Sequence, residues 1–181
     1  IGINYKQKEN IYDDFKLQLL LPQKQSEKSS ALAVGDINND GLDAFFVGNA
    51  KGEKGAIYCQ SKDGKFIETN QKLFELDKDF EDTNAKFLDV DNDNDLDVLV
   101  TGDTGSEAIT KLYINASGTF TLDTTFTGLY NSAAAWGDYN NDGYVDLLIN
   151  GYTGSSFTTK VFTTSSTVFT ELSTNLQGVN K

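Results

Sequence analysis

The 181-residue chain contains no histidine, no arginine and no methionine, and only one cysteine, one proline and one tryptophan. Without imidazole, and with Cys59 as the lone thiol, the usual nitrogen and sulfur ligands of zinc and copper are missing. Carboxylate, amide and carbonyl oxygens remain as donors. Cys59 lies in the apolar run Ala56-Ile57-Tyr58-Cys59 and reads as an inert strand residue with no disulfide partner in the chain. A single cysteine suits the cytosol and a secreted bacterial protein alike. No run approaches the ~18 apolar residues of a membrane span, and the start Ile1-Gly2-Ile3-Asn4 does not read as a signal peptide. Positive charge is scarce too: 15 lysines against 27 acidic residues leave a formal charge of −12. That balance argues against nucleic acid and against membrane insertion, and it makes a divalent cation the natural counter-charge.

What the chain does have is a repeat. Ala31-Leu-Ala-Val-Gly-Asp-Ile-Asn-Asn-Asp-Gly-Leu-Asp-Ala-Phe-Phe-Val-Gly48 returns as Ala85-Lys-Phe-Leu-Asp-Val-Asp-Asn-Asp-Asn-Asp-Leu-Asp-Val-Leu-Val-Thr-Gly102 and again as Ala134-Ala-Trp-Gly-Asp-Tyr-Asn-Asn-Asp-Gly-Tyr-Val-Asp-Leu-Leu-Ile-Asn-Gly151. Asp36 and Asp89 stand 53 positions apart, and Asp89 and Asp138 stand 49 apart. The second and third copies align without a gap, from Gly102 with Gly151 through Lys111 with Lys160 to Phe120 with Phe169. A period of this length marks an array of small supersecondary units.

Each unit holds four short runs rich in β-branched and aromatic residues, separated by Gly, Asn, Asp or Ser. In the second unit they are Ala85 to Asp89, Val98 to Thr101, Thr110 to Asn115 and Thr119 to Thr124; in the third, Ala133 to Gly137, Asp146 to Asn150, Thr159 to Thr164 and Val168 to Leu172. The first unit has matching runs near Ala31, Ala44, Ala56 and Lys65. Helical periodicity is weak throughout, so the fold class is all-β. A four-stranded antiparallel sheet of this size buries its faces by stacking on its neighbours, which predicts β-propeller blades. The divisions are an N-terminal segment, 1–30, then blades at 31–80, 81–130 and 131–181. The runs Phe45-Phe46-Val47, Val98-Leu99-Val100 and Leu147-Leu148-Ile149 are continuously apolar, as expected of second strands buried on both faces. A two-sheet sandwich carrying the same loops is the competing architecture. Ser and Thr number 6 in residues 1–100 and 24 in 101–181, but the repeat runs through this shift without a break.

The Asp/Asn loops carry the chemistry. Calcium takes six to eight oxygens at about 2.3–2.6 Å, and a tight loop with oxygens at alternate positions can wrap them around the ion. With the first Asp as position one, positions three, five and nine offer side chains and position seven a backbone carbonyl. The third loop supplies Asp138, Asn140, Asp142, the carbonyl of Tyr144, and Asp146, with Gly143 at the sharp turn. The second supplies Asp89, Asp91, Asp93, the carbonyl of Asp95, and Asp97, with Asn94 in place of the glycine. The first has Asp36, Asn38, Asp40 and the carbonyl of Leu42 in register, but Ala44 at position nine. Asp43, one residue early, should point to the other strand face. This site is therefore expected to be the weakest, empty or completed by water. An EF-hand would need Glu at position twelve, where Val47, Val100 and Ile149 stand. Isolated Asp-Asn-Gly clusters are ordinarily turn formers; three at one phase favour a metal. Its expected role is structural, a clamp between the first two strands of each blade.

Gly35-Asp-Ile-Asn-Asn-Asp-Gly41 and Gly137-Asp-Tyr-Asn-Asn-Asp-Gly-Tyr-Val-Asp-Leu-Leu148 resemble the FG-GAP/VCBS repeat family, whose calcium-loop blades also build integrin α-subunit propellers. Asp14-Phe15-Lys16, Leu20-Leu21-Pro22 and Gly55-Ala56-Ile57-Tyr58 are similar to secreted bacterial VCBS proteins of the ASPIC/UnbV type. The resemblance implies a calcium-stabilised propeller, extracellular or periplasmic, that serves as a non-catalytic platform for a protein or glycan ligand. Three units fall short of the four to eight blades of a ring. A homo-oligomer follows as the expected partner, a dimer giving six blades. A strand over Phe15 to Leu21 would complete a neighbouring sheet or cap its own. Tyr130, Tyr152 and Phe157 are candidate contact aromatics or blade-edge covers. A purely structural self-assembling segment is the alternative function. A hydrolase or lyase using Asp103 and Glu107 is the weakest, since nothing separates those carboxylates from solvated loop charges. Asn115-Ala116-Ser117 matches a glycosylation acceptor, read as incidental.

Overall fold

In the computed structural model, three stretches of alternating β-branched and aromatic residues each fold into a four-stranded antiparallel meander. The described residues are 30–69 and 72–172, with Ile3, Lys16 and Leu176. The first sheet comprises β1 (Leu32–Gly35), β2 (Ala44–Val47), β3 (Ala56–Gln60) and β4 (Phe66–Thr69). The second comprises β5 (Glu81–Leu88), β6 (Asp97–Asp103), β7 (Ala108–Ala116) and β8 (Thr119–Phe126). The third comprises β9 (Tyr130–Gly137), β10 (Asp146–Tyr152), β11 (Phe157–Ser165) and β12 (Val168–Leu172). Within each sheet the strands are hydrogen-bonded in sequence order, as in propeller blades. Three sheets rather than two set the sandwich aside. The strand expected over Phe15 to Leu21 lies, apart from Lys16, outside the described residues.

Strand periodicity sorts each sheet into two faces, and the register fixes which residues share one. Ala33, Phe46 and Ile57 lie side by side on one face of the first sheet. They meet Ala85, Val98, Val100 and Tyr113 of the second sheet in one apolar core. The opposite face of the second sheet, with Leu99 and Leu112, meets Leu147, Ile149 and Phe162 of the third in another. The middle second strand β6 is thus buried from Asp97 through Gly102.

The flanking second strands correct the expectation of burial on both faces. Leu148 of β10 is 39 % exposed between the buried Leu147 and Ile149, and Phe45 of β2 is half-buried beside the buried Phe46. The physical reason is that, among the described residues, no sheet stacks beyond the first or the third. Phe45 instead packs on its own sheet, 5.1 Å from the ring of Tyr58 and 5.1 Å from that of Phe66.

A 3-10 helix, Lys72–Asp77, crosses from the first sheet to the second in a stretch too short to carry helical periodicity. It buries Phe74 between the rings of Phe46 (5.3 Å) and Tyr113 (5.5 Å), edge to face with each. Asp77 at its end accepts hydrogen bonds from Lys111 Nζ and Tyr113 OH of β7. The helix therefore acts as a wedge, apolar at its centre and ionic at its end.

Candidate metal centre

The three loops between first and second strands adopt one conformation. The first Asp binds the backbone of its own loop with both carboxylate oxygens. Asp36 accepts from Asp40 N (3.1 Å) and Gly41 N (2.7 Å). Asp89 accepts from Asp93 N (3.1 Å) and Asn94 N (3.0 Å), and Asp138 from Asp142 N (3.1 Å) and Gly143 N (3.0 Å). At position five, Oδ1 of Asp40, Asp93 and Asp142 accepts the N–H of Leu42, Asp95 and Tyr144 at 2.9, 2.8 and 2.9 Å. Such bonds fold the chain back on itself and turn successive oxygens toward the loop interior.

Two residues per loop are left-handed. Position six has φ of 81° at Gly41, 73° at Asn94 and 90° at Gly143, so Asn94 does take the conformation that glycine supplies elsewhere. Position four is left-handed as well, with φ of 55° at Asn39, 62° at Asn92 and 59° at Asn141. Asparagine stands at position four in all three loops, the residue that marks this conformation in the sequence.

Position nine opens the second strand and is buried. Asp97 accepts Val90 N on Oδ2 and Asn115 N on Oδ1, both at 2.8 Å. Asp146 repeats this with Tyr139 N and Thr164 N, also at 2.8 Å. Each carboxylate thus joins the loop to the third strand of its sheet. In the first sheet the place belongs to the buried Ala44, while Asp43, one residue before the strand, is exposed.

The fit to a hard cation is a matter of reach. Ligands about 2.3–2.6 Å from one ion stand no more than about 5 Å apart. One carboxylate oxygen from each of Asp89, Asp91 and Asp97 lies within 4.8 Å of the others, so the second loop could hold a metal ion. Among the described residues no other carboxylates form such a group. In the first and third loops position three is asparagine, and the amides of Asn38 and Asn140 donate to Asp40 Oδ2 (3.2 Å) and Asp142 Oδ2 (2.8 Å). The side chain of Asp95 turns away, Oδ2 accepting Ser117 N at 2.6 Å. That leaves its backbone carbonyl as the loop's donor at position seven.

Without a cation the second loop is electrostatically uncomfortable. Burial pushes the Asp97 carboxyl up to about 7; the N–H groups of Asn115 and Val90 oppose this, and the charges of Asp91 and Asp93 add to it. Burial also raises Asp91, with Asp93 and Asp89 adding their repulsion. A divalent ion among these groups would reverse the sign of the local field.

The loops also join neighbouring sheets. Position two is a plug: Ile37 is 1 % exposed in the first core and Val90 0 % in the second. Asn115 Nδ2 donates to Ile37 O across the first boundary and to Leu96 O within its own sheet. Asn115 is fully buried, which takes the glycosylation motif out of reach in the folded protein. Asn92 Nδ2 donates to Gly143 O (3.0 Å) across the second boundary.

The other candidates lie at the opposite ends of the strands. Asp103 Oδ1 accepts Gly105 N (2.9 Å), and Glu107 N donates to Thr104 Oγ1 (3.0 Å), so this stretch forms a self-bonded turn. The rings of Tyr152 and Phe157 lie 5.1 Å apart, tilted at 45°, and Tyr152 OH donates to Gly154 O. Among the described residues no helix is long and apolar enough to cross a membrane.

Comparison with known proteins agrees with this geometry. No curated protein matches the chain at a significant level. The FG-GAP-like repeat matches twice, over residues 36–100 and 89–149, each match running from one Asp loop to the second strand of the next sheet. Those residues make up most of the chain and all three loops, and the chain belongs to the FG-GAP-like repeat family.

Proposed function

We propose that this chain is a calcium-binding propeller module that serves as a non-catalytic platform for a protein or glycan ligand outside the cytoplasm. The observation that carries the reading is the convergence of Asp89, Asp91 and Asp97 in a loop whose backbone conformation is repeated at Asp36 and Asp138. The donor set is oxygen only, as calcium prefers and zinc or copper do not. Asp89, Asp91, Asp93 and Asp97 with the carbonyl of Asp95 would hold the ion in the second loop. Asp138, Asn140, Asp142 and Asp146 with the carbonyl of Tyr144 would do so in the third. The first loop keeps Asp36, Asn38, Asp40 and the carbonyl of Leu42 but has no carboxylate at position nine. The ion's role is to neutralise carboxylates that otherwise repel, fixing each loop against the sheet. The rigid loop ends then present a surface to a ligand.

Calorimetric titration of the metal-stripped protein with calcium tests this. Two sites are expected with dissociation constants of about 0.1–1 mM, the range of extracellular modules, with a third that is weaker or absent. Asp89→Ala and Asp138→Ala should each remove one site, whereas Asp43→Ala should remove none. A protein that takes up no calcium would refute the reading.

A further inference from the structure

The first and third sheets each present one face that no described sheet covers, and repeat equivalence shows what those faces are. On the first sheet, Val34, Phe45 and Tyr58 lie side by side, with Leu32 one step along; Leu32 and Val34 are each 60 % exposed. The same places in the second sheet are held by Phe87, Val98, Tyr113 and Ala85, and in the third by Trp136, Leu147, Phe162 and Ala134. In both of those sheets this is the face that the preceding sheet covers.

The face of the third sheet that no described sheet covers is the complementary half. Ala135, Leu148 and Val161 lie side by side there, where the first sheet has Ala33, Phe46 and Ile57 and the second has Lys86, Leu99 and Leu112. Ala33, Phe46 and Ile57 in the first sheet and Leu99 and Leu112 in the second pack against the following sheet, whereas Lys86 is exposed. Ala135, Leu148, Val161, Leu176 and Tyr139 line a hollow of about 400 Å³ on this face. Tyr139 is the position-two plug of the third loop, yet it is 75 % exposed where Ile37 and Val90 are buried.

The polar contacts of the internal boundaries have counterparts as well. Asn115 donates from the second sheet to the plug carbonyl of Ile37; Gln60 stands at the same place in the first sheet, two residues after Tyr58 as Asn115 is two after Tyr113. Asn92 donates forward to the loop carbonyl of Gly143; Asn141 is its equivalent in the third loop and Gly41 that of Gly143 in the first.

We propose that these two faces are the halves of one interface, and that a second copy of this chain docks head to tail, its Val34, Phe45 and Tyr58 receiving Tyr139 and Leu148. The contact continues the packing already established between the first and second sheets and between the second and third. Gln60 of one copy bonds the carbonyl of Tyr139 of the other, and Asn141 reaches Gly41. Such a contact is heterologous, so two copies close into a ring only if each copy supplies both faces; the three described sheets of each copy make six, within the range in which propeller rings close. The proposal rests on the sheet faces and not on calcium, so its failure leaves the reading of the loops intact.

The test is the solution mass of the full chain by sedimentation, with and without substitutions on either face. The wild type is expected at twice its 19.8 kDa. Val34→Lys, on the first sheet, and Tyr139→Ser, on the third, should each weaken association by at least about tenfold, as expected of an interface anchor. Mixing the two variants decides the geometry. The intact Tyr139 face of the Val34→Lys chain can meet the intact Val34 face of the Tyr139→Ser chain, so the mixture should regain a two-copy species that neither variant forms alone. That recovery would also show that both variants are folded. A monomeric wild type, with the faces covered by the chain's own ends or by another protein, would overturn the proposal. So would a dimer sensitive to one substitution only, which would mark a two-fold contact of one face with itself.

Discussion

Asn49 and Asp82 bond each other twice across the boundary between the first and second sheets. Asn49 N donates to Asp82 Oδ2 at 3.1 Å, and Asp82 N donates to Asn49 O at 3.0 Å. The carboxyl is buried and pushed up to about 7; desolvation is the largest cause, Asp77 and Glu81 add their charges, and the bond from Asn49 opposes. Between about pH 4 and pH 7 the folded protein therefore holds a proton that the unfolded chain, titrating near 3.8, has released.

The consequence is a stability that falls as pH rises. This contribution is fully present below about pH 4, declines as pH rises through the range to about 7, and is gone above it, with a slope of up to about 1.4 kcal/mol per pH unit. Asp82→Asn keeps an acceptor for Asn49 and cannot ionise. Denaturant unfolding between pH 4 and 8 in saturating calcium should show a flatter profile for the variant and higher stability than wild type at pH 8.

Position nine predicts a gain of function. Ala44→Asp places a carboxylate where Asp97 and Asp146 each accept two N–H bonds. Without calcium the variant should be less stable than wild type, because burying a carboxylate there costs about 1–3 kcal/mol that such N–H bonds offset only in part. In excess calcium the order should reverse, and titration should show a tighter first site.

Much of this was legible in the sequence, because the features that announce it are local. Four strand-forming runs per unit became four strands, and the oxygens of each loop are encoded at fixed spacing. What was not legible depends on distant partners. Asp97 reads as a metal ligand at position nine, but its bonds to Val90 and Asn115 appear only when β6 and β7 pair. The exposure of Leu148 follows from which neighbour is present, and its apolar run resembles that of the fully buried β6. The wedge Lys72–Asp77 is too short to show helical periodicity and is held by Phe46 and Tyr113.

Asn115 should matter for stability without touching the ion. Asn115→Ala leaves the carbonyls of Ile37 and Leu96 without its amide. Loss of about 2–3 kcal/mol is expected in chemical denaturation, with calcium affinity of the second loop changed little, since the backbone N–H to Asp97 remains.

Backbone handedness gives a paired prediction at position six. Gly143, at φ 90°, replaced by alanine should cost about 1–2 kcal/mol, the penalty of an ordinary residue in the left-handed region. Asn94→Gly at φ 73° should be neutral or slightly stabilising, because glycine reaches that conformation at no steric cost. Unfolding midpoints in calcium would measure both.

A cation that holds the loops of Asp89 and Asp138 against their sheets must raise the stability of the whole fold. Thermal unfolding of one sample in excess calcium and of another in excess chelator measures it most directly. The midpoint should be higher by several degrees with calcium, and the difference should shrink in Asp89→Ala. Identical midpoints in the two conditions would contradict it.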